Sequence, residues 1–138
     1  MIQNRVNRIS TQVLVAASEV VKEMGIGLDP EVYKFCLHHE LFQKNIETKI
    51  DISIPIVYKN SLINANLKAH LLIDDSLLVN IVSGFTIGPA DESLMKTSLK
   101  LSDKSMGLIL NFNTPHFANS FKKVLNNRNN FIENRLNG

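Results

Sequence analysis

The chain has 138 residues, 44% of them hydrophobic, which predicts a single domain with an ordinary apolar core. Its 15 Lys and Arg residues nearly balance 13 Asp and Glu residues, so it lacks the strongly basic charge of a dedicated nucleic-acid-binding protein. One cysteine, Cys36, excludes an intrachain disulfide or a cysteine-based zinc site. No signal-peptide pattern is present and no apolar run approaches the roughly 18 residues of a membrane span, so we expect a cytoplasmic protein.

Two helices are predicted at the start of the chain. Ser10 and Thr11 can cap a first helix that runs from about Thr11 to Met24, and Gly25 and Gly27 end it. Its predicted apolar stripe is Val13, Ala16, Ala17, Val20 and Met24.

The second helix is predicted from its capping residues. Asp29 is a good N-cap, Pro30 fits the first helical position, and the helix runs to about Lys44. The residues predicted to start its buried face are Val32, Phe35, Cys36 and Leu37. Cys36 is interpreted as a packed apolar residue, since no flanking signature of a nucleophile accompanies it.

The spacing of the apolar residues then changes from a helical period to alternation, which predicts strands. The first strand alternates four isoleucines with other residues: Ile50, Ile52, Ile54 and Ile56. In the second, Leu67, Ala69, Leu71 and Ile73 face one way, and Asn66, Lys68, His70 and Leu72 the other. Asp74, Asp75 and Ser76 turn the chain into LLVNIV, which is apolar on both faces and predicts a central strand.

A helix from about Asp91 to Leu101, the buried strand MGLILNF and a last helix complete the prediction. Asn113 or Thr114 would cap that last helix, which begins at Pro115. The predicted fold is an α/β sandwich with a mixed sheet of about four strands flanked by helices, in the order helix, helix, three strands, helix, strand, helix. Residues 127–138 form an Asn-rich tail, predicted to be weakly ordered or helical.

Several segments resemble the GxxExxY family, small bacterial proteins grouped with the PD-(D/E)XK nuclease superfamily. They are AASEVVKEMGIGLDPEVY, IPIVYKNSL, ADESLMKTSLKL and GLILNFN, together with the hairpin HLLIDDSLLVNIVSG. The match covers about residues 9–125 and implies one nuclease-like domain over the whole chain. It also implies phosphodiester hydrolysis assisted by a divalent metal such as magnesium. An Asp on one strand and a Glu on the next would hold the ion, and a Lys two residues after the Glu would position water or stabilise charge.

The catalytic positions of the family carry other residues in this chain. The Asp is replaced by His70, and Asn80 and Val82 stand where the resemblance expects Glu and Lys. Pro30 replaces the name-giving Glu, while Gly27 and Tyr33 remain. The positions of this degenerate site are Glu19, Pro30, His70, Asn80, Val82, Leu94 and Ser98, of which Leu94 and Ser98 replace an expected Gln and Tyr. We therefore predict no catalytic residue, no metal ligand set and no cofactor.

Other residues offer poor replacements for the missing ligands. Asp74 and Asp75 lie roughly 13 to 17 Å further along the strand than position 70. Glu31 is one helical step from Pro30, about 100 degrees around the helix, and should point elsewhere. His38, His39 and Glu40 are adjacent on a helix, so their side chains diverge and a solvated face is expected.

Three hypotheses follow for function. The first is a catalytically inactive nuclease-like domain that acts as an interaction protein, as a homodimer or with another protein. The alternative is nucleic-acid binding without cleavage, through basic residues near the two ends of the chain that converge if the termini are neighbours: Arg5, Arg8, Lys122, Lys123, Arg128 and Arg135. Lys68 is a further candidate for this binding. The third is an active metal-dependent nuclease whose site has migrated.

Overall fold

The structure, a computed structural model, describes residues 2–115 and 120–126. The elements are α1 (Ile2–Met24), α2 (Pro30–Gln43), β1 (Thr48–Tyr58), β2 (Ser61–Ile73), β3 (Leu77–Val82), α3 (Pro89–Ser102), β4 (Met106–Asn111) and β5 (Phe121–Leu125). The strands form one sheet in the order β1-β2-β3-β4-β5, in which β3 and β4 are parallel and the other pairs antiparallel. The predicted fold class, a mixed α/β sandwich, is confirmed. Within the described ranges, no helix is long and apolar enough to cross a membrane.

The sheet is covered on both faces. Helices α1 and α2 pack on one face with alternate residues of the central strands, such as Val79 of β3 and Leu108 of β4. Helix α3 covers the other face, where Met95 and Leu99 contact Leu78 and Ile109. The prediction that LLVNIV is a central strand is confirmed, because β3 contributes side chains to both cores.

The prediction of a last helix is wrong for the part of this segment that the structure describes after residue 119. Phe121–Leu125 is strand β5, and it pairs antiparallel with β4 from Met106↔Leu125 to Leu110↔Phe121. The physical reason is that β4 has an outer edge of backbone N–H and C=O groups, and β5 satisfies them. Residues 116–119, which include His116, and the tail 127–138 lie outside the described residues.

Helix α1 begins earlier than predicted, at Ile2. Ser10 and Thr11 are therefore interior residues, and their hydroxyls donate to the Asn7 carbonyl at 2.8 and 3.1 Å instead of capping the helix. The predicted stripe is buried except for Met24, which is 46% exposed at the last turn. Gly25 and the following Gly27 have φ of +80° and +89°, in agreement with their predicted role as helix stops.

The predicted buried face of α2 is wrong by about one position. Tyr33, Lys34, Leu37 and Leu41 are buried, whereas Val32 is 37% and Phe35 55% exposed. Two features rotate the helix in this way: Tyr33 stacks on Phe112 with a centroid distance of 4.3 Å, and Lys34 meets two carboxylates described below. The N-cap is as predicted, since Asp29 accepts from the Glu31 N–H at 2.8 Å.

The turn between β2 and β3 fastens two distant parts of the chain. Asp74 and Asp75 have φ of +54° and +53°, which agrees with the predicted tight turn. The Asp74 carboxylate also accepts from Nε and Nη2 of Arg5 at 2.7 and 2.8 Å, and Lys104 Nζ donates to the Asp75 carbonyl at 2.9 Å. The turn therefore ties the start of α1 and the α3–β4 connection to the sheet.

Candidate functional site

A cleft opens where β2 and β3 separate. Their backbone pairing runs from Ile73↔Leu77 to Leu71↔Val79, after which β2 continues with β1 while β3 continues with β4. The cleft has a volume of about 130 Å³ and is lined by Lys68, His70, Asn80, Ile81, Val82, Asp91, Leu94 and Ile109. Four of the degenerate-site positions are thus brought together: His70, Asn80, Val82 and Leu94.

His70 and Asn80 hold the two strands together at the base of this cleft. The backbone N–H of His70 donates to Asn80 Oδ1 at 3.3 Å, and the backbone N–H of Ile81 donates to His70 Nδ1 at 2.7 Å. A neutral imidazole accepts through only one nitrogen, so this geometry requires the proton on Nε2. The side chains of His70 and Asn80, at two positions where the resemblance expects metal ligands, therefore extend the strand pairing by one step.

The residues present do not fit a magnesium-type ion. Such an ion needs several oxygen ligands in near-octahedral geometry, but Asn80 Oδ1 and His70 Nδ1 already accept backbone N–H groups and Val82 has no donor atom. The cleft's carboxylate, Asp91, accepts from the Gly88 N–H at 2.9 Å at the start of α3. Over residues 2–115 and 120–126, no group of three or more His, Cys, Asp or Glu side chains is arranged to hold a metal.

A buried lysine with two carboxylates lies beside the cleft. The Lys34 side chain is 2% exposed, and its Nζ lies 2.6 Å from Glu31 Oε2 and 2.9 Å from Asp51 Oδ1. Burial alone would lower the pKa of Lys34, but the hydrogen bonds that its ammonium donates to Glu31 and Asp51, with their negative charges, outweigh burial and raise that pKa. The bond from Lys34 likewise lowers the pKa of Asp51 against the effect of desolvation, with a smaller contribution from the charge of Lys68.

The sequence interpretation missed Lys34 and Asp51. Each stands among apolar residues, and Asp51 adopts φ of +54° in the middle of β1. A signal was available in the Glu31–Lys34 spacing of three residues, which puts both side chains on one helix face. Glu31, expected to point elsewhere, is therefore directed toward this cluster by Lys34.

The cluster acts on His70. Burial is the largest influence and lowers the pKa of His70, and the positive charge of Lys34 lowers it further. The carboxylates of Glu31 and Asp51 oppose this shift without cancelling it. The lowered pKa favours the neutral form of the His70 ring, the form that can accept the hydrogen bond from the Ile81 N–H.

Three other positions of the degenerate site lie away from the cleft lining. Glu19 is exposed on α1, between the buried residues of its apolar stripe. Pro30 occupies the first turn of α2. Ser98 is buried in α3, and its hydroxyl donates to the Leu94 carbonyl at 2.7 Å within the helix.

The predicted basic residues are distributed over different parts of the fold. Lys122 and Lys123 point to opposite faces of β5, opposite Ile109 and Leu108, and Lys122 lies 2.8 Å from Glu92. Lys68 is on β2, three strands away in the sheet order. Arg5 binds the β2–β3 turn and Arg8 is exposed on α1, while Arg128 and Arg135 lie outside the described residues.

Comparisons with known proteins agree with the fold. A family model of the PD-(D/E)XK nuclease superfamily matches residues 7–124, and the chain belongs to this superfamily. A solved protein described as "Crystal structure of SSO0001" superposes with a TM-score of 0.50 at 13% identity, over 70% of this chain and 50% of that one. This chain thus spans about half the length of that protein, and the likeness concerns the fold alone. No curated protein matches the sequence at a significant level.

Proposed function

We propose that this chain is a catalytically inactive member of the superfamily, of the GxxExxY type, that acts as an interaction protein. The observation that carries the proposal is the pair of bonds between β2 and β3. His70 and Asn80, at two of the positions expected to hold a metal, are engaged by backbone N–H groups of the opposite strand. Val82, at the position of the lysine, contributes an apolar side chain to the α3 core.

A migrated nuclease site would have to use the neighbouring Glu31 and Asp51. Both carboxylates already bind Lys34 Nζ, at 2.6 and 2.9 Å. Releasing either carboxylate to a metal would leave the Lys34 ammonium, which is 2% exposed, with one partner fewer, although solvent screens the loss because the Glu31 and Asp51 side chains are 61% and 48% exposed. This loss favours a catalytically inactive domain over a nuclease whose active site has migrated.

A cleavage assay tests the inactive state. Supercoiled DNA and single-stranded RNA are incubated with purified protein and with magnesium or manganese, beside the variants His70→Ala and Glu19→Ala. We expect the three proteins to give the same background, because the cleft lacks both the oxygen ligands and the ammonium that hydrolysis needs. Metal-dependent cleavage by the natural chain that either substitution abolishes would contradict the proposal.

The interaction surface that we propose is the β1–β2 ribbon, defined as residues 53–67. Here β2 pairs with β1 alone, and a two-stranded ribbon is marginal in water without further packing. Four of its apolar side chains are exposed: Val57 by 57%, Tyr58 by 61%, Leu62 by 75% and Ile63 by 39%. A hollow of about 380 Å³ lies along it, lined largely by apolar and Asn side chains.

Charge and backbone geometry favour a second copy of this chain as the partner that binds the ribbon. Lys59 is the ribbon's one charged residue, and depletion of charge is typical of interface cores. A surface with a single charged residue meets its own copy with little repulsion, whereas nucleic acid would need a row of cations. Pro55 lacks an N–H, and the pairing is irregular between Ile54 and Ile56, so addition of an extended peptide to this edge is disfavoured.

Measuring the oligomeric state tests whether the ribbon is a dimer interface. We expect the natural chain to dimerise in sedimentation equilibrium, and Leu62→Lys to shift it to monomer because the substitution buries two unpaired charges in a two-fold contact. Phe85→Lys is the matched control, since Phe85 is 94% exposed on the β3–α3 loop, away from the ribbon. A monomeric natural chain, or a Leu62→Lys variant that dimerises equally well, would overturn this interface.

A further inference from the structure

The junction of β2 and β3 depends on two side chains where the backbone pairing ends. Beyond Leu71↔Val79, the links between the strands are the His70 N–H to Asn80 Oδ1 and the Ile81 N–H to His70 Nδ1. We propose that His70 and Asn80 form a proton-sensitive latch at the base of the cleft, and that protonation of the His70 ring releases it. This inference does not depend on the proposed interaction surface.

The atoms of the latch fix its dependence on the proton. Both ring nitrogens of an imidazolium are donors, so a proton on Nδ1 would face the N–H of Ile81 and remove its acceptor. Ile81 is 3% exposed, and a buried N–H without a partner is costly. The strands therefore separate at this point to hydrate the N–H, and the longer bond to Asn80, at 3.3 Å, is lost with them.

The charges around His70 come from several elements. Lys34 and Glu31 of α2 and Asp51 of β1 act on the ring, with Lys34 opposing its protonation and the two carboxylates favouring it. Lys68 of β2 and Asp91 of α3 line the same cleft. The β3 and β4 residues that face it are uncharged: Asn80, Ile81, Val82 and Ile109.

These groups determine the direction in which pH changes the stability contributed by His70. Since burial and Lys34 lower the pKa of His70 below 6.5, the unfolded chain binds this proton more readily than the folded one. The stability contributed by His70 is thus fully present above pH 6.5 and is lost as the pH falls through the lower pKa of the folded state. The latch opens as the pH falls through that lower pKa, and the cleft widens.

Nuclear magnetic resonance of the full chain tests the latch. At neutral pH, the His70 ring should carry its proton on Nε2. The protection factor of the Ile81 amide should then fall about tenfold, as a lost buried hydrogen bond predicts, while the pH is lowered through the titration of the His70 ring. The variant His70→Asn keeps an acceptor near the place of Nδ1 but does not titrate, so its Ile81 protection should not change with pH. His39→Asn, at an exposed histidine of α2, should behave as the natural chain.

Three results would overturn the latch. The first is a proton on Nδ1 of His70 at neutral pH, which is read on the natural chain and so does not require any variant to fold. The second is constant Ile81 protection while the His70 ring titrates. The third is a His70 ring that stays neutral at every pH at which the chain is folded.

Discussion

Replacing Tyr33 with alanine is expected to lower the free energy of unfolding by about 3–5 kcal/mol, the usual cost of deleting a buried aromatic ring. The ring is 1% exposed and stacks on Phe112, with an angle of 8° between the planes. Its hydroxyl donates to the Gly25 carbonyl at 2.7 Å and accepts from the Leu28 N–H at 3.1 Å. Tyr33 therefore joins α2, the α1–α2 connection and the end of β4, and urea titration followed by circular dichroism measures its contribution.

Tyr33→Phe separates the ring from the hydroxyl. It keeps the stack on Phe112 and should lower the free energy of unfolding by about 1–2 kcal/mol, in the range of one or two hydrogen bonds. Equal losses for the two variants would mean that the hydroxyl, and not the stack, stabilises this corner. A loss of less than about 1 kcal/mol for Tyr33→Ala would place the ring outside the core.

Restoring the expected ligands should create a metal site. The triple variant His70→Asp, Asn80→Glu and Val82→Lys places two carboxylates and an ammonium around the cleft, where Asp91 is already present. We expect manganese binding by isothermal titration. We also expect stabilisation of about 2.7 kcal/mol when the free ion is at 100 times the Kd. Without metal the variant should be less stable than the natural chain, because the latch is removed and carboxylates repel one another.

A matched control distinguishes a restored site from added charge. The variant His38→Asp and His39→Glu introduces two carboxylates on α2, on neighbouring positions whose side chains diverge. It should not bind manganese. If the triple variant binds no more manganese than this control, the assignment of positions 70, 80 and 82 to the metal site is wrong.

The elements with a clear period could be predicted from the sequence. The isoleucines of β1, the apolar strand β3 and the Asp29–Pro30 start of α2 all follow from local rules of alternation, burial and capping. The resemblance also placed His70, Asn80 and Val82 together, and they line one cleft. Local pattern was sufficient for β1, β3 and the start of α2 because neighbouring residues determine these elements, whereas the grouping at the cleft came from the resemblance.

The remaining features depend on contacts between distant residues. Strand β5 forms because β4 offers an unpaired edge, which the letters FKKVL do not reveal. Lys34 is buried because Asp51, 17 residues later, supplies a carboxylate. The pairing of His70 with Asn80 and Ile81 likewise depends on the register of β2 against β3. The sequence alone therefore suggested that metal ligands are missing, but it could not suggest that these residues bond to one another.

The most direct measurement of the central claim is thermal melting of the natural chain with and without magnesium, manganese and zinc. Any ion that binds the folded state at a specific site raises the melting temperature by mass action. Because His70 and Asn80 are engaged by backbone groups and Val82 has no donor atom, we predict the same melting temperature in all four conditions. A rise with magnesium or manganese that is abolished by His70→Ala would contradict the claim that the nuclease site is lost.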